Sequence, residues 1–294
     1  MSIWFNGVKY LFQPTRHSKL ANLQSFKDIG YTSRKWWGTY QVEAGQSRFW
    51  RIGNVVVCVD RFMNEWHVAG CPVGKISGLP EDDEEGIPAS IPFDELNFKT
   101  FTFRTQAEIS LKPVLPDRSL ASKLEQPLYI PANEDILLYV SSPVWVRIDT
   151  GKSKIVLDEI PTFGLSDTWI GNNTLEGEIC YSGHTHCSPH LKDVPSGPDR
   201  IISPMLIKNQ ATTPLLLERV NVPLPYLSVY SDAENFLWTE QLYVYRDSDE
   251  GPEVEIAKGP PKALDEIYRL TPARKELNVH SSIRRLFVTN FIWN

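Results

Sequence analysis

Twenty-two of the 294 residues are proline, against an average usage of about 5%. Proline fixes φ and lacks the N–H that a helix interior or a central strand must donate. A chain punctuated this densely is built from many short elements joined by turns. Nine tryptophans point the same way, because a large ring fits the pleated, half-buried surface of a sheet. Together these features predict a β-rich protein.

The apolar runs agree. Phe49 to Gly53 leads into Val55-Val56-Val57-Cys58-Val59, which suits a strand buried on both faces. After a turn at Asp60 to Asn64, the segment Glu65 to Ala69 reads as the returning strand. Val144, Val146 and Ile148 alternate with Trp145 and Arg147, the period of a half-buried strand. Asp149 to Lys152 has turn chemistry, and Ile155-Val156-Leu157 is its expected partner. Met205 to Lys208, Leu215 to Val222, Leu227 to Tyr230 and Leu237 to Tyr245 continue at the spacing of a sandwich or barrel. Near the amino terminus, Trp4, Phe5, Val8, Tyr10, Leu11 and Phe12 are read as a first strand pairing with the body.

Two segments break the pattern. The loop from Gly74 to Pro92 carries five consecutive acids, Glu81 to Glu85. Such like-charge runs are solvated, and the alternating acids of a calcium loop are absent. Thr271 followed by Pro272 has the form of an N-cap with proline at the first helical position. Leu277, Ile283, Leu286 and Phe287 then recur at helical spacing, so a short helix is expected over residues 272–287. The architecture expected is mainly β, with antiparallel, β-sandwich-like sheets in two units split at the acidic loop. These are residues 1–90 and 91–260, followed by a tail, 261–294, with the short C-terminal helix.

Charge and cysteine usage exclude several function classes. A formal charge of −6 argues against nucleic-acid binding, which needs clustered Lys and Arg. Met1 to Pro14 lacks the apolar core of a signal peptide. No window approaches the ~18 apolar residues of a membrane helix, so no membrane span is expected. The Arg284-Arg285 pair is too little for membrane anchoring. Cys58, Cys71, Cys180 and Cys187 are too sparse for a disulfide scaffold, and a reduced, cytoplasmic location is expected. Gly151-Lys152-Ser153 lacks the upstream glycine of a phosphate loop, and no dinucleotide fingerprint or nucleophile elbow is present.

The unusual side chains gather between residues 158 and 190. Cys180, His184, His186, Cys187 and His190 put five potential metal ligands within eleven residues. Thiolate and neutral imidazole are donors that zinc prefers. On one extended strand Cys180, Ser182, His184 and His186 share a face, and a Cys, two His and a fourth group would close a tetrahedral site. The spacing matches no zinc finger, and His184-Thr185-His186 lacks the Glu of a cupin box. No cofactor is therefore the favoured reading, with zinc the one to test. Asp158, Glu159, Asp167 and Glu178 are read as turn formers or solvated charges before acid–base partners. Ser166-Asp167-Thr168 is expected to form a turn that lets Trp169 pack inward. Trp36, Trp37 and Trp50 are either sheet core, the favoured reading, or an aromatic shelf. Trp36 and Trp37, with Asp167 and Trp169, make up the candidate binding surface.

Several blocks, taken in order, resemble the DUF432 proteins, a bacterial and archaeal family of unknown function. They are Trp50-Arg51-Ile52-Gly53 with Asn64-Glu65-Trp66-His67, Ser142-Pro143-Val144-Trp145-Val146, Ser166 to Gly171 with Gly177 to Tyr181, and Leu237-Trp238-Thr239-Glu240. The resemblance carries no established activity. It implies an accessory or regulatory role at the inner face of the membrane, because genes of the family lie near mechanosensitive-channel genes. Where the family is expected to continue with a basic residue after Tyr181, this chain has His184. The expectation is a non-enzymatic binding or regulatory module whose partner is a protein. The alternatives are a metal-dependent enzyme centred on the Cys/His cluster, and an oligomeric structural adaptor.

Overall fold

A computed structural model describes residues 2–5, 8–11, 23–24, 33–75, 96–102, 107–151, 155–164, 166–171, 177–247 and 252–276. Its strands in chain order begin with β1 (Ser2–Phe5), β2 (Val8–Leu11), β3 (Gly38–Gln41), β4 (Ser47–Ile52), β5 (Val55–Arg61), β6 (Glu65–Pro72) and β7 (Lys99–Thr102). There follow β8 (Glu108–Val114), β9 (Leu120–Ile130), β10 (Glu134–Pro143), β11 (Trp145–Thr150), β12 (Val156–Pro161), β13 (Ser166–Gly171) and β14 (Gly177–Ser182). The rest are β15 (His186–Ser188), β16 (Arg200–Asn209), β17 (Leu215–Val222), β18 (Val229–Ser231), β19 (Leu237–Trp238), β20 (Leu242–Arg246), β21 (Glu253–Ile256) and β22 (Tyr268–Thr271). Among the described residues the helical elements are short 3₁₀ turns at Val73–Lys75, Leu191–Asp193 and Leu224–Tyr226. The protein is mainly β, as the prolines require.

Four-stranded sheets form in the orders β4-β5-β6-β7, β12-β11-β8-β3 and β13-β14-β9-β17. The largest sheet runs β15-β10-β16-β19-β18-β22, with β20 and β21 continuing from β16. Pairing is antiparallel except where β9 meets β14 and where β16 meets β19 and β20. β1 pairs with β2 as a separate hairpin, so the expected single first strand on the body is instead two strands on each other.

The strand periodicity decides which side of each sheet is core. On β10 and β16, Leu138, Val140, Ile201 and Met205 face the main core, while Leu137, Tyr139, Ile202 and Leu206 face a second apolar layer. Both strands are therefore buried on both faces, which explains their near-continuous apolar sequences. β5 is likewise double-sided: Val55, Val57 and Val59 enter the main core, and Val56 and Cys58 pack with Phe49 and Cys71 on the other side. The main core runs from Trp36 to Val254 and includes Trp50, Trp66 and Val146. Each such buried side chain stabilises the fold by roughly 1.5–3 kcal/mol. The acidic run Glu81 to Glu85 lies outside the described residues.

The C-terminal helix is not formed where it can be seen. Thr271 ends β22, and residues 272–276 are irregular. Thr271 is no cap, because its hydroxyl donates to the Pro113 carbonyl at 2.7 Å. Arg274 donates to the Leu115 carbonyl at 2.5 Å, and the Lys275 N–H to that of Pro225 at 2.9 Å. Tertiary bonds have taken the groups that a helix start would use. The remainder of the expected helix, residues 277–287, lies outside the described residues.

Candidate functional site

The Cys/His segment does not run as one extended strand. β14 ends at Ser182, and Gly183 and His184 both take left-handed backbone, at φ 93° and 52°. The chain turns there and re-enters at β15, which pairs with β10 in a different sheet. The shared face expected for Cys180, His184 and His186 is lost at that turn. Cys180 is buried against Ala121 and Ile170. Burial, helped by the nearby Glu178 carboxylate, pushes its thiol up to about 12. Cys187 faces the main core beside Val140, and burial takes its thiol to about 12 as well. Thiols so held are poor sources of the thiolate a metal requires. His190 is exposed and uses its backbone N–H, at 3.1 Å, on the Ser188 hydroxyl. Among the described residues no three His, Cys, Asp or Glu groups gather in a way that would hold an ion.

A different grouping forms instead. The His184 imidazole stacks on Phe163, with ring centroids 4.6 Å apart and an interplanar angle of 27°. The Arg200 guanidinium lies 5.6 Å from the centroid of the same Phe163 ring. Arg200 donates from Nε to the Ser141 hydroxyl at 3.0 Å and from Nη2 to the Ser141 carbonyl at 3.1 Å. That hydroxyl donates to the Pro195 carbonyl at 2.6 Å. His186 sits directly opposite Ser141 across the β10–β15 ladder. Sequence reasoning found the histidines but missed Arg200 and Phe163. The one local sign was a charged pair, Asp199-Arg200, opening an otherwise apolar strand.

The second candidate surface is the β13–β14 hairpin. Ser166 to Thr168, expected as a turn, is strand, because the whole segment pairs in register from Ser166↔Ser182 to Gly171↔Gly177. Asp167 therefore does not cap backbone N–H groups. Its carboxylate accepts from Arg118 Nη1 at 3.2 Å. Trp169 does not pack inward: it is 46% exposed, opposite Ile179 at 52%. Arg118 in turn lies 5.2 Å from the Tyr181 ring centroid, and the Tyr181 hydroxyl donates to Asp117 at 2.7 Å. Trp36 and Trp37 are buried in the main core, edge to face at 5.8 Å. Trp36 Nε1 donates to the Pro198 carbonyl at 2.6 Å, so neither ring forms a shelf.

The other acids are engaged structurally. Lys99 reaches Asp158 at 2.7 Å, and Asn221 donates to Glu178 at 3.2 Å. Glu159 accepts from Arg147 at 2.7 Å and from Arg274 at 2.6 Å. Burial alone would raise the Glu159 carboxyl, but the two guanidinium partners outweigh it and hold it below the usual carboxylate range. Two further carboxylates are buried near the Leu237-Trp238-Thr239-Glu240 block. Asp232 accepts from Trp238 Nε1 at 2.7 Å, and Glu240 accepts from the Ser228 N–H at 2.7 Å and the Tyr230 hydroxyl at 3.0 Å.

No curated protein and no solved structure matches the chain. The model of one family, proteins of unknown function designated DUF432, matches residues 36–291, from the first core tryptophan nearly to the end of the sequence. The blocks that resemble the family fall on the β4–β5 and β5–β6 turns, the β10–β11 junction, the exposed hairpin and the segment of the buried Glu240. The chain belongs to the DUF432 family.

Proposed function

We propose that the protein is a non-catalytic binding or regulatory module that meets a protein partner through the β13–β14 hairpin. The observation that carries this reading is the cross-strand pair Trp169–Ile179, two large apolar side chains about half exposed on a hairpin whose outer strand is a sheet edge among the described residues. Exposed apolar edges invite pairing with other chains and are normally blunted. Here the edge keeps a tryptophan, the residue type most enriched at binding hot spots. An extended segment of the partner adds to β13 through main-chain hydrogen bonds and lays an apolar side chain against Trp169. The Asp167–Arg118 pair at the end of the same face sets register.

The resemblance implies a role beside mechanosensitive channels, so the cytoplasmic faces of such channels are the first partners to test. A photo-crosslinking residue in place of Ile179, introduced in the native host, should capture one protein reproducibly. Trp169→Asp should abolish the capture while leaving the unfolding temperature within a few degrees of the parent. Undiminished capture by a folded Trp169→Asp variant would overturn the reading.

A further inference from the structure

We propose that the corner built by Arg200, Phe163, His184 and His186 is a binding site for a small oxyanion, a phosphate or carboxylate group. Arg200 opens β16 and is only 7% exposed. Among the described residues its hydrogen-bond partners are both on Ser141, the hydroxyl and the carbonyl, so two of its five N–H donors are used there. Among the described residues it forms no ion pair. The adjacent Asp199 acts on it through charge, and the Asp199 carboxylate lies against Gly53 at the β4–β5 turn. A guanidinium taken this far out of water loses hydration that only an anionic partner restores in full. Its fork also matches the paired oxygens of a phosphate or carboxylate.

The neighbours complete a site around that charge. In the β10–β16 ladder Arg200 is opposite Pro143, and in the β10–β15 ladder His186 is opposite Ser141. Pro143 and Ser141 are two residues apart on one strand, so Arg200 and His186 stand on the same face. Directly opposed Cβ atoms are about 5 Å apart, which places the imidazole of His186 beside the serine that holds the guanidinium. Phe163 forms an apolar wall beside Arg200, and the His184 imidazole stacks on the same ring. His184 reaches that position only because its backbone takes φ 52° directly after Gly183 at φ 93°. A non-glycine residue held in that region stores strain, and such strain concentrates at ligand clamps. Each neutral imidazole supplies one N–H donor and a protonated one supplies two. The acid at the rim is Glu125, 4.0 Å from His186 and 85% exposed, so solvent screens its charge.

The site lies on the large sheet and is separate from the β13 edge, so it stands whether or not that edge binds a protein. Titration calorimetry on the full chain, at constant ionic strength, with inorganic phosphate in one arm and acetate in the other, tests it. Saturable binding at millimolar anion or below is expected, with phosphate alone marking a phosphate site and acetate alone a carboxylate site. Arg200→Lys, which keeps the charge and loses the fork, should weaken binding by about 10-fold or more. The His184→Gln, His186→Gln double variant alters exposed or half-exposed side chains and should retain the parent's unfolding temperature while weakening binding several-fold. Absence of saturable binding of either anion at millimolar concentration would overturn the proposal. So would binding unchanged in the folded double-histidine variant.

Discussion

Gly53 sits at the β4–β5 turn with φ 58°, the left-handed region that L side chains avoid. A Cβ there would fall on Cγ and Oδ2 of Asp199 and stand 2.6 Å from its Cβ. Gly53→Ala therefore meets two penalties. The left-handed backbone costs about 1–2 kcal/mol for a non-glycine residue, and crowding a packed site costs about 1–3 kcal/mol. Reduced freedom of the unfolded chain returns about 0.5–1 kcal/mol. The net loss is about 1–4 kcal/mol. With ~2.1 cal/mol/K per residue over a chain of this length, the unfolding temperature falls by about 2–7 °C. Two further variants separate the terms. Gly53→Asn tolerates the backbone better but keeps the collision. Asp199→Ala removes the two nearest atoms, so the Gly53→Ala, Asp199→Ala pair should lose about 1 kcal/mol less than the sum of the singles. Thermal unfolding followed by circular dichroism reads all four. A Gly53→Ala protein within about 0.5 kcal/mol of the parent, the range of an ordinary surface change, would refute the claim that this turn is locked against the start of β16.

Three other outcomes follow from the same structure. Glu159→Gln should cost about 2–3 kcal/mol near neutral pH, because Arg147 and Arg274 lose a shared, mostly buried carboxylate. The Glu159 carboxyl is held below its usual value, so its contribution is present above the unfolded-state pKa of about 4.3 and is lost as pH falls through the folded-state value; urea titrations of parent and variant should converge in that acid window and nowhere above it. Trp238→Phe strips the Nε1 donor from the buried Asp232 carboxylate and should cost at least about 1–3 kcal/mol, measurable by the same titration. Hydrogen bonding from Cys58 lowers the Cys71 thiol, whereas burial raises those of Cys180 and Cys187 to about 12; mass spectrometry after brief alkylation of the folded protein should find Cys71 modified first, and earlier labelling of Cys187 would count against the packing of β15.

The strands were legible wherever burial wrote a period into the sequence. The Val55 to Val59 run is a double-sided strand, and the Val144 to Ile148 alternation is β11, half-buried as read. The failures share one cause: groups committed by distant partners. Thr271 and Pro272 look like a helix start until Pro113 and Leu115 are brought beside them. Ser166 to Thr168 has turn composition, yet pairing with Cys180 to Ser182 holds it extended. The Cys/His spacing suggested one face of one strand, but two consecutive left-handed residues redirect the chain between sheets. Arg200 and Phe163 were invisible as a pair because, beyond the Asp199-Arg200 charges, nothing in their local sequence announces that the fold will bring them together.

The blocks that resemble the family also separate framework from surface. Trp50, Ile52, Trp66, Val144, Val146, Trp238 and Glu240 are buried, so those blocks report how the sheets pack and say nothing of what the protein meets. The Ser166 to Tyr181 block is different, because its hairpin buries Ile170, Cys180 and Tyr181 while turning Trp169 and Ile179 outward. Packing alone does not call for a half-exposed tryptophan opposite a half-exposed isoleucine, since each leaves apolar area in water that a polar residue would fill at no cost to the core. The oxyanion corner lies outside every one of these blocks apart from the β10 strand that supports it. The two surfaces are thus separable by mutation: Trp169→Asp should leave anion binding intact, and the histidine variants should leave partner capture intact.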